Sequence, residues 1–571
     1  MFSLHDPLDE ALRAELMEYD DLTASLLARR GITSKGEAER FLKPSYDEHL
    51  HDPLVMTDMR KAAERLARAI ETHEHIGVWT DYDCDGGPAA VLLHDFLEKA
   101  GATFENYIPH RHLEGYGMNV HGIEKLAKSG VTLIVTADVG ITDVAPVARA
   151  NELGIDVIIT DHHLPGDTLP AAYAVVDPKA RTDELYPFKE LCGSGLAWKL
   201  VCATLAVAPK LREQVPLGWE KWLLDMAGLA TIADMVPLIG ENRVLASYGL
   251  LVMRKSPRLG LAKLCSVTRI TQRFITEEDV GFMIAPRVNA ASRMGDAYDA
   301  LRLFTTHDEA EAERLARLLE TANRQRKAAA GAITRAVHTR IKERGEMRGV
   351  IVLGDPDWRP ALLGLVANTI ADEYERPVFL WGREGDASVK GSVRSGGGVN
   401  AFELMSEADD LFVEFGGHAA AGGFSLREDA LFSFEDRLIE ALGRLVPAID
   451  SAPLHADVDL PLSAIGPHLL GAMQKLAPFG MGNSKPVFLV RAAEVAGTAR
   501  FGKSSEHVKI VFRAEEGRTV DGVAFFAKGE LARRADNLAG GGQANILAHL
   551  ERDTFAKGQP VRLRLLNVSL L

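Results

Sequence analysis

Short apolar runs alternate with longer amphipathic segments over the first part of the chain. The runs are rich in β-branched residues, which is typical of buried strands, and the segments between them carry apolar positions at helical spacing. The predicted strands are 76–80, 132–136 and 156–160, and the predicted helices between them are 88–100, 121–129 and 143–153. This alternation favours a parallel sheet that is covered by helices on both faces.

The pattern changes further along the chain. Helical patterning continues to about 345, where the charged, Ala-rich segment 308–344 predicts one long helix or two in succession. A second α/β unit follows, and strand-like segments joined by Gly-rich turns come last. These changes predict a helical segment at 1–50, an α/β domain at 51–270, a helical connector at 271–345, a second α/β domain at 346–448 and a small β-barrel of the OB type at 449–571. For the last segment a β-sandwich is the alternative.

Composition narrows the class of protein. The 571 residues are 47 % hydrophobic and 25 % charged, which is ordinary for a globular protein of roughly three to four domains. No apolar run approaches the ~18 residues of a membrane span, and the N-terminus lacks a signal peptide, so we expect a cytoplasmic protein without membrane contact. The four cysteines form no C-x-x-C pair, which fits a reducing compartment. The net charge of −15 argues against non-specific coating of nucleic acid but allows a local basic groove.

Acidic and imidazole side chains follow the ends of the three predicted strands. They are Asp81, Asp83 and Asp85 after the first, Asp138 after the second, and Asp161, His162 and His163 after the third. Because the carboxyl ends of parallel strands meet at one edge of a sheet, we expect these side chains to converge. Asp234, which ends the helical run MAGLATIAD, is a further candidate.

The chemistry of these residues indicates divalent cations. Clustered carboxylates repel one another unless a cation neutralises them, and carboxylates with imidazoles suit Mn²⁺ or Mg²⁺. Two such ions about 3.5–4 Å apart can activate a water and stabilise an in-line displacement at phosphorus. Each motif alone has a plainer interpretation: the D-x-D a solvated loop, the His pair packing, and Asp138 or Asp234 a cap or ion pair. Their coincidence in one α/β unit favours a two-metal phosphoesterase.

The motifs are similar to those of a known superfamily. T-D-Y-D-C-D-G, T-A-D-V-G, D-H-H and T-I-A-D resemble successive motifs of the DHH phosphoesterases. Over essentially its whole length the chain resembles the RecJ-like exonuclease family within that superfamily. The further matching segments are I-P-H-R-H-L-E-G-Y-G at 108–117, A-P-R-V-N-A-A-S-R-M-G-D at 285–296, K-G-S-V-R-S at 390–395, G-G-H-A-A-A-G-G at 416–423 and P-F-G-M-G-N at 478–483. The resemblance implies a DHH domain, a DHH-associated domain and an OB-like barrel.

The resemblance also implies an activity and a metal site. The activity is a metal-dependent exonuclease that degrades single-stranded DNA from its 5′ end to 5′-mononucleotides, in DNA repair and recombination. Two Mn²⁺ or Mg²⁺ ions are implied, with Asp138 bridging them. By motif matching, the metal ligands are Asp83, Asp85, Asp138, His162 and Asp234. Asp81 and Asp161 would support these ligands, and His163 would lie near the scissile phosphate.

A second set of residues is implied to recognise the strand end. A terminal phosphate carries more charge than an internal diester, and guanidinium and hydroxyl donors suit it. By resemblance, the residues that hold substrate phosphates are Arg111, Arg293, Ser392, Arg394 and His418. From the residues alone, Arg394 fits a loop salt bridge and His418 fits a buried, hydrogen-bonded imidazole.

A preference for single strands needs a narrow passage with basic and stacking side chains. The candidates on the long helical segment are Arg314, Arg317, Arg324, Arg326, Lys327 and Arg335. The candidates on the barrel are Lys503, Lys509, Phe512 and Arg513. A solvated helix face and ordinary strand positions are the alternatives.

Two other functions stay open on sequence alone. One is an oligonucleotide or cyclic-dinucleotide phosphodiesterase of the same superfamily, against which the extra barrel argues. The other is a non-catalytic single-strand-binding replication scaffold, against which the complete set of metal-site acids argues. The resemblance suggests single-stranded DNA with a 5′ end as substrate, and single-strand-binding protein and a RecQ-like helicase as protein partners. We expect a monomer.

Overall fold

The computed structural model describes residues 2–383, 388–445, 455–502, 505–514, 517–527, 529–553, 556 and 558–571. The predicted boundary between 448 and 449 and the candidate Lys503 lie outside these ranges. The predicted fold class is confirmed: a parallel sheet, a long helical region, a second α/β domain and a C-terminal β-barrel follow one another.

The N-terminal segment consists of a short strand and short helices. They are β1 Ser3–Leu4, α1 Glu10–Glu15, α2 Asp21–Ala28 and α3 Lys35–Leu42. Each helix begins after an Asp or Ser whose side chain accepts a backbone N–H of the first turn. Apolar residues of these helices cluster with Leu476 and Phe479, so the segment packs against the C-terminal region of the chain.

The first sheet carries the acidic motifs. Its strands are β2 His75–Thr80, β3 Thr103–Tyr107, β4 Leu133–Ala137, β5 Asp156–Thr160 and β6 Ala174–Val176. They are all parallel and lie in the order β3-β2-β4-β5-β6. The three predicted strands are confirmed as β2, β4 and β5, which are neighbours. The other two strands were not predicted, because β3 is half-exposed and β6 has only three residues.

Helices cover both faces of this sheet. They are α4 Met59–Glu71, α5 Gly86–Lys99, α6 Val120–Lys128, α7 Val144–Glu152 and α8 Gly193–Val207. Apolar residues of α4, α5 and α8 form one core with one face of the sheet, and those of α6 and α7 form another with the opposite face. Burial on both faces explains why the strands are apolar throughout.

A helical region joins the two α/β domains. Its helices are α9 Leu224–Ala233, α10 Gly240–Met253, α11 Leu259–Thr268, α12 Glu277–Asp279, α13 Ala285–Met294, α14 Tyr298–Thr305 and α15 Glu309–Arg344. The segment predicted as one long helix or two is the single helix α15 of 36 residues. Leu315 and Leu319 of α15 pack in the first domain's core, and Ile333 and Val337 pack against the second domain, so α15 bridges them. None of the helices in the described ranges combines the length and apolarity needed to cross a membrane.

The second α/β domain has a mixed sheet. Its elements are β7 Ile351–Gly354, α16 Pro360–Tyr374, β8 Val378–Gly382, β9 Val389–Arg394, α17 Ala401–Ser406, β10 Phe412–Gly417, β11 Ala421–Leu426 and α18 Phe434–Leu442. The strand order is β10-β11-β9-β8-β7, with only β7 and β8 parallel among these neighbours. This places β9, which carries the K-G-S-V-R-S motif, in the centre of the sheet.

The C-terminal domain is a barrel. Its elements are β12 His455–Ala456, β13 Val458–Asp459, α19 Pro467–Gln474, β14 Phe488–Phe501, β15 His507–Arg513, β16 Thr519–Ala524, α20 Gly529–Asn537, β17 Gly542–Arg552 and β18 Val561–Leu570. The long strand β14 pairs with both β15 and β17, and this double pairing closes the sheet on itself. The barrel prediction is therefore confirmed over the sandwich alternative, and the unpredicted β17 is the strand that completes it.

Backbone pairing and a buried arginine are among the contacts that tie the barrel to the rest of the molecule. The short strands β1 and β12 pair in parallel, which joins the N-terminal segment to the barrel. Arg243 of α10 is only 3 % exposed and donates hydrogen bonds to the backbone oxygens of Phe41, Leu476 and Ala477. One guanidinium thus links the helical region, the N-terminal segment and the start of the barrel.

Candidate active site

The acidic side chains converge at the carboxyl edge of the first sheet. The acidic motifs follow β2, β4 and β5, which are neighbours in that sheet. Three groups of side chains have ligand atoms within 4.8 Å of one another: Asp81, Asp83 and Asp138; Asp138, His162 and His163; and Asp85, His162 and Asp234. Because Asp138 and His162 each belong to two groups, the set forms one continuous cluster.

His162 lies at the centre of the cluster. Its Nε2 is 3.1 Å from Asp138 Oδ1, 3.7 Å from Asp85 Oδ2 and 3.8 Å from Asp234 Oδ2. Burial and the neighbouring His163 lower the pKa of His162 to about 3. The ring is therefore neutral at pH 7, which is the form of histidine that binds metals.

Asp85 is held by the first turn of α8. Its carboxylate accepts the backbone N–H of Gly193 at 2.6 Å and of Ser194 at 2.7 Å, and Ser194 Oγ donates to the Asp85 carbonyl at 2.7 Å. Close packing requires glycine at 193, because a Cβ there would lie 2.5 Å from Asp138 Cβ. The role of Gly193 and Ser194 was not predicted, because these residues are small and uncharged, whereas the predicted ligands are acids and histidines.

Burial and mutual repulsion change the protonation of the acids. Asp138 is 3 % exposed, and burial together with the charges of Asp85 and Asp83 raises its pKa well above the usual range. Burial and neighbouring carboxylates raise the pKa of Asp85 to about 6 and that of Asp234 to about 8. Asp81 has a buried Oδ1 that meets no hydrogen-bond donor among the described residues. This donor set fits a divalent cation, which would neutralise the acids.

Asp161 and His163 form a pair beside the cluster. His163 Nδ1 lies 2.7 Å from Asp161 Oδ1, and the same carboxylate accepts the backbone N–H groups of His162 and Ile141. Burial opposes protonation of His163, but the hydrogen bond and charge of Asp161 outweigh it and raise its pKa to about 9. Within the described residues Asp161 joins none of the metal-compatible groups, whereas Asp81 joins one.

Among the described residues, Arg293 and Arg394 form no ion pair with a carboxylate, and Arg293 lies near the acids. Burial and the nearby Arg111 and Arg326 lower the pKa of Arg293, on α13, to about 9. Its Nε is buried and has no hydrogen-bond acceptor in the described ranges. Burial also lowers the pKa of Arg394, on β9, and no neighbouring carboxylate offsets this effect. Because a buried cation is costly without an anion, both guanidiniums fit a phosphate.

Helix α16 contacts both arginines. Arg293 Nη1 donates to the backbone oxygen of Ala361 in its first turn. One turn further along, a Cβ at Gly364 would lie 2.7 Å from Arg394 Nη2. The predicted phosphate ligands on α13 and β9 therefore both contact the N-terminal part of α16, although they are distant in sequence.

The remaining phosphate candidates lie at different places. Arg111 stacks on Tyr82 of the first acidic motif, with its guanidinium carbon 4.5 Å from the ring centroid. Ser392 and Arg394 share a face of β9, because they are two residues apart on one strand. His418 is exposed in the turn between β10 and β11, so its interpretation as a buried imidazole is wrong.

Several candidates for a single-strand passage have other contacts. On α15, Arg317 pairs with Glu313 at 2.7 Å and Arg324 with Glu320 at 3.7 Å. These are helix-surface pairs, so the solvated-face interpretation applies to them. Arg326 differs, because it is half-buried, bonds to Asn323 at 2.9 Å and lies near Arg293.

The predicted binding surface on the barrel is wrong in one residue. Phe512 is fully buried in the barrel core, because strand alternation points it inward. Lys509, on the opposite face of the same strand, points outward and pairs with Asp521 at 2.7 Å. The exposed aromatic side chains of this region are instead Phe501, Phe525 and Phe526.

Comparison with known proteins gives a consistent assignment. The chain matches the DHH family N-terminal domain over residues 75–231, the DHHA1 domain over 347–444 and the RecJ OB domain over 456–567. It is 37 % identical over 520 residues to the single-stranded-DNA-specific exonuclease RecJ of Bacillus subtilis, covering 90 % of this chain and 64 % of that relative. The chain thus spans slightly less than two thirds of the Bacillus protein. It is 32 % identical over 504 residues to RecJ of Escherichia coli K12, covering 83 % of this chain and 85 % of that relative.

Solved structures of RecJ proteins are similar to this chain as well. RecJ from Thermus thermophilus in complex with Mn²⁺ superposes with a TM-score of 0.81 and 29 % identity, covering 100 % of this chain and 79 % of that one. An exonuclease RecJ bound to manganese is 35 % identical with a TM-score of 0.59, covering 69 % of this chain and 96 % of that one. The acidic motifs, the domain order and these similarities show that the chain belongs to the RecJ family of single-stranded-DNA-specific exonucleases, in the DHH superfamily.

Proposed function

We propose that this chain is a metal-dependent exonuclease that removes 5′-mononucleotides from the 5′ end of single-stranded DNA, in DNA repair and recombination. One observation carries the proposal: a largely buried cluster of mutually repelling carboxylates lies near Arg293, a half-buried arginine that forms no ion pair among the described residues. The acids fit divalent ions and the arginines fit a phosphate. The names of the RecJ relatives support the substrate.

We assign two Mn²⁺ or Mg²⁺ ions to the acid cluster. The proposed ligands are Asp83, Asp85, Asp138, His162 and Asp234. Asp138 and His162 each belong to two of the metal-compatible groups, so both would help to hold the ions. Relatives solved with Mn²⁺ and with Mg²⁺ support either metal. When bound, such ions lower the pKa of a water and stabilise charge on phosphoryl oxygens.

His163 would contact the substrate directly. Asp161 fixes its Nδ1, so Nε2 is the atom that remains for the substrate. As an imidazolium it would donate a hydrogen bond to an oxygen of the scissile phosphate. The hydroxyl of Tyr116 lies 3.3 Å from His163 Nδ1 and 3.4 Å from the Asp138 carbonyl oxygen. It would therefore restrain the imidazole ring of His163.

The direction of degradation would follow from end recognition. The proposed ligands of the terminal phosphate are Arg293, Ser392 and Arg394, and Arg111 and His418 would contact nearby phosphates. With the terminal phosphate held there, the next diester would reach the acids. Attack of water at that phosphorus breaks the bond to the 3′ oxygen of the first nucleotide. This releases a 5′-mononucleotide and leaves a new 5′-phosphate, so each cycle regenerates the recognised end.

Protein partners would supply the single strand. Single-strand-binding protein and a RecQ-like helicase fit this role, because one protects and the other produces unpaired DNA. The chain would act as a monomer, since the proposed acids and arginines all belong to one polypeptide.

The proposal is tested by comparing substrates with Mn²⁺ present. We expect rapid degradation of a long 5′-phosphorylated strand, slower degradation of the same strand with a 5′-hydroxyl, and weak activity on a dinucleotide. Arg394→Gln should reduce the 5′-phosphate preference by about 10- to 100-fold, because one charge-assisted hydrogen bond contributes about 1.5–3 kcal/mol. The control Arg427→Gln removes an exposed arginine that pairs with Asp429. A preference for dinucleotides would identify a small-substrate phosphodiesterase instead, and Mn²⁺ binding without hydrolysis would identify a scaffold.

A further inference from the structure

The motif at 285–296 contains a residue to which the proposed function gives no role. Asn289, on α13, accepts the backbone N–H of Cys84 through its Oδ1 at 3.1 Å. Cys84 stands between Asp83 and Asp85, two proposed metal ligands. The hydrogen bond therefore anchors the middle of the first acidic motif to a helix 205 residues away in sequence.

The rest of this acidic motif is held by the first turn of α8, which binds Asp85, and by hydrogen bonds within the motif. Asp83 Oδ1 accepts the N–H groups of Asp85 at 2.7 Å and Gly86 at 3.1 Å, which closes a tight turn. Gly86 packs so closely that a Cβ there would lie 2.4 Å from the Asp81 carbonyl oxygen. These contacts fix the shape of the turn, whereas the bond to Asn289 fixes its position relative to α13.

The same face of α13 carries Arg293. Residues four apart lie on one side of a helix, so the side chains of Asn289 and Arg293 are neighbours. Arg293 lies close enough to Asp83 and Tyr82 for their charges to act on its pKa. On the other side, Arg287 of α13 bonds to Glu320 of α15 at 2.7 Å, which braces the helix. α13 thus connects the proposed metal ligands with the proposed phosphate pocket.

We propose that Asn289 is a positioning residue, whose hydrogen bond to Cys84 holds the first acidic motif at a fixed position relative to α13. A 5′-phosphate bound at Arg293, on the same helix, would thereby favour the arrangement of the motif that binds metal. This rests on the proposed function of the phosphate pocket. An amide suits the position, because its oxygen accepts the Cys84 N–H without adding a charge to clustered acids. Since coupling between two sites is reciprocal, metal would also strengthen binding of the phosphorylated end.

A Mn²⁺ titration tests the positioning role without requiring catalysis. Binding to the full chain is followed by the loss of the EPR signal of the free aqueous ion. Asn289→Ala should weaken Mn²⁺ binding by about 10- to 100-fold, as for other residues that orient metal ligands. Asn289→Gln keeps an uncharged acceptor oxygen and should recover part of the affinity. Unchanged Mn²⁺ affinity in a folded Asn289→Ala variant would overturn the proposal.

Ser292→Ala is the matched control. Ser292 lies on the same helix and is buried, and its hydroxyl donates only one hydrogen bond within the described residues, to the Asn289 carbonyl oxygen at 3.4 Å. We expect its Mn²⁺ affinity to equal that of the unmodified chain. A loss as large as that of Asn289→Ala would show that any change in α13 disturbs the metal site, and would overturn a specific role for Asn289.

Kinetics on strands with a 5′-phosphate or a 5′-hydroxyl test the coupling. In the unmodified chain the phosphate should raise kcat as well as lower KM. Asn289→Ala should keep the effect on KM, because Arg293 and Arg394 are intact, and lose the effect on kcat. Retention of both effects would overturn the coupling. If the unmodified chain cleaves neither strand, the proposed function fails, and the Mn²⁺ titration still decides the positioning role.

Discussion

At the scale of single residues, Asp138 and Asp161 are two buried acids that follow neighbouring strands, and their environments shift their pKa values in opposite directions. Burial would raise the pKa of Asp161, but the hydrogen bond and charge of His163 and backbone N–H groups lower it. Asp138 faces other carboxylates and has a φ of 64°, in the left-handed region. Such a backbone in a non-glycine residue is costly and is typical of functional sites. The conformation and environment of Asp138 thus reduce the stability of the metal-free protein.

The first prediction concerns Asp138→Asn. Cleavage of single-stranded DNA should fall to background, while binding of the strand in EDTA is retained. Removing a repelling carboxylate should also stabilise the metal-free protein. Relief of about 1 kcal/mol corresponds to a rise in Tm of about 2–4 °C for a domain of this size. Differential scanning calorimetry in EDTA checks this, with the exposed Asp167→Asn as control. A lower Tm would contradict the repulsion argument.

At the scale of elements, the first turn of α8 has two tasks. Its N–H groups bind the Asp85 carboxylate, as unpaired donors at a helix start readily do. Its Gly193 also leaves space for Asp138. A strand edge supplies the acids, and a helix start then orients them.

Gly193→Ala tests this second task. The added Cβ would overlap Asp138 Cβ at 2.5 Å, so one of the two must move. We expect Mn²⁺ affinity to fall by about 10- to 100-fold, because the ligands are displaced rather than removed. The control is Gly36→Ala in α3, where an added Cβ meets no atom within 4 Å. Isothermal titration with Mn²⁺ would contradict the packing argument if both variants bind equally well.

At the scale of the whole molecule, the barrel is attached through hydrogen bonds to backbone oxygens as well as through apolar contacts with the N-terminal segment. Arg243 donates to backbone oxygens of two separate segments, and Arg30 of the N-terminal segment donates to Asn483 Oδ1 and the Ser484 carbonyl oxygen at 2.6 Å each. The Leu238 N–H, four residues after Asp234, donates to the Met481 oxygen at 2.7 Å. The P-F-G-M-G-N motif therefore joins the barrel to the region of the proposed active site.

Arg243→Met should loosen this attachment. Its hydrogen bonds to backbone oxygens are charge-assisted and buried, and each such bond contributes about 1.5–3 kcal/mol. We expect the unfolding transition to split, with the barrel released at lower temperature, and limited proteolysis between the second α/β domain and the barrel to accelerate. The exposed Arg40→Met is the control. An unchanged melting profile would show that other contacts hold the barrel.

The sequence predicted the acids of the site because one rule, strands ending at a common edge, places nearly all of them. It did not reveal Gly193, Ser194 or Asn289, because their roles depend on contacts between distant segments. It misplaced Phe512, since an aromatic residue in a strand is as often inside as outside. It missed β17, which follows directly on a run of glycines. The sequence pattern thus predicted local structure and the acidic cluster. The orientation of the ligands depends on contacts between distant segments, which only the folded structure shows.

The most direct test of the central claim is a degradation time course on one long 5′-phosphorylated strand, labelled at either its 5′ or its 3′ end. With Mn²⁺, the 5′ label should appear at once as mononucleotide, and the 3′-labelled strand should shorten progressively. EDTA should abolish both. Release of the 3′ label first, internal cutting, or equal activity in EDTA would contradict the account.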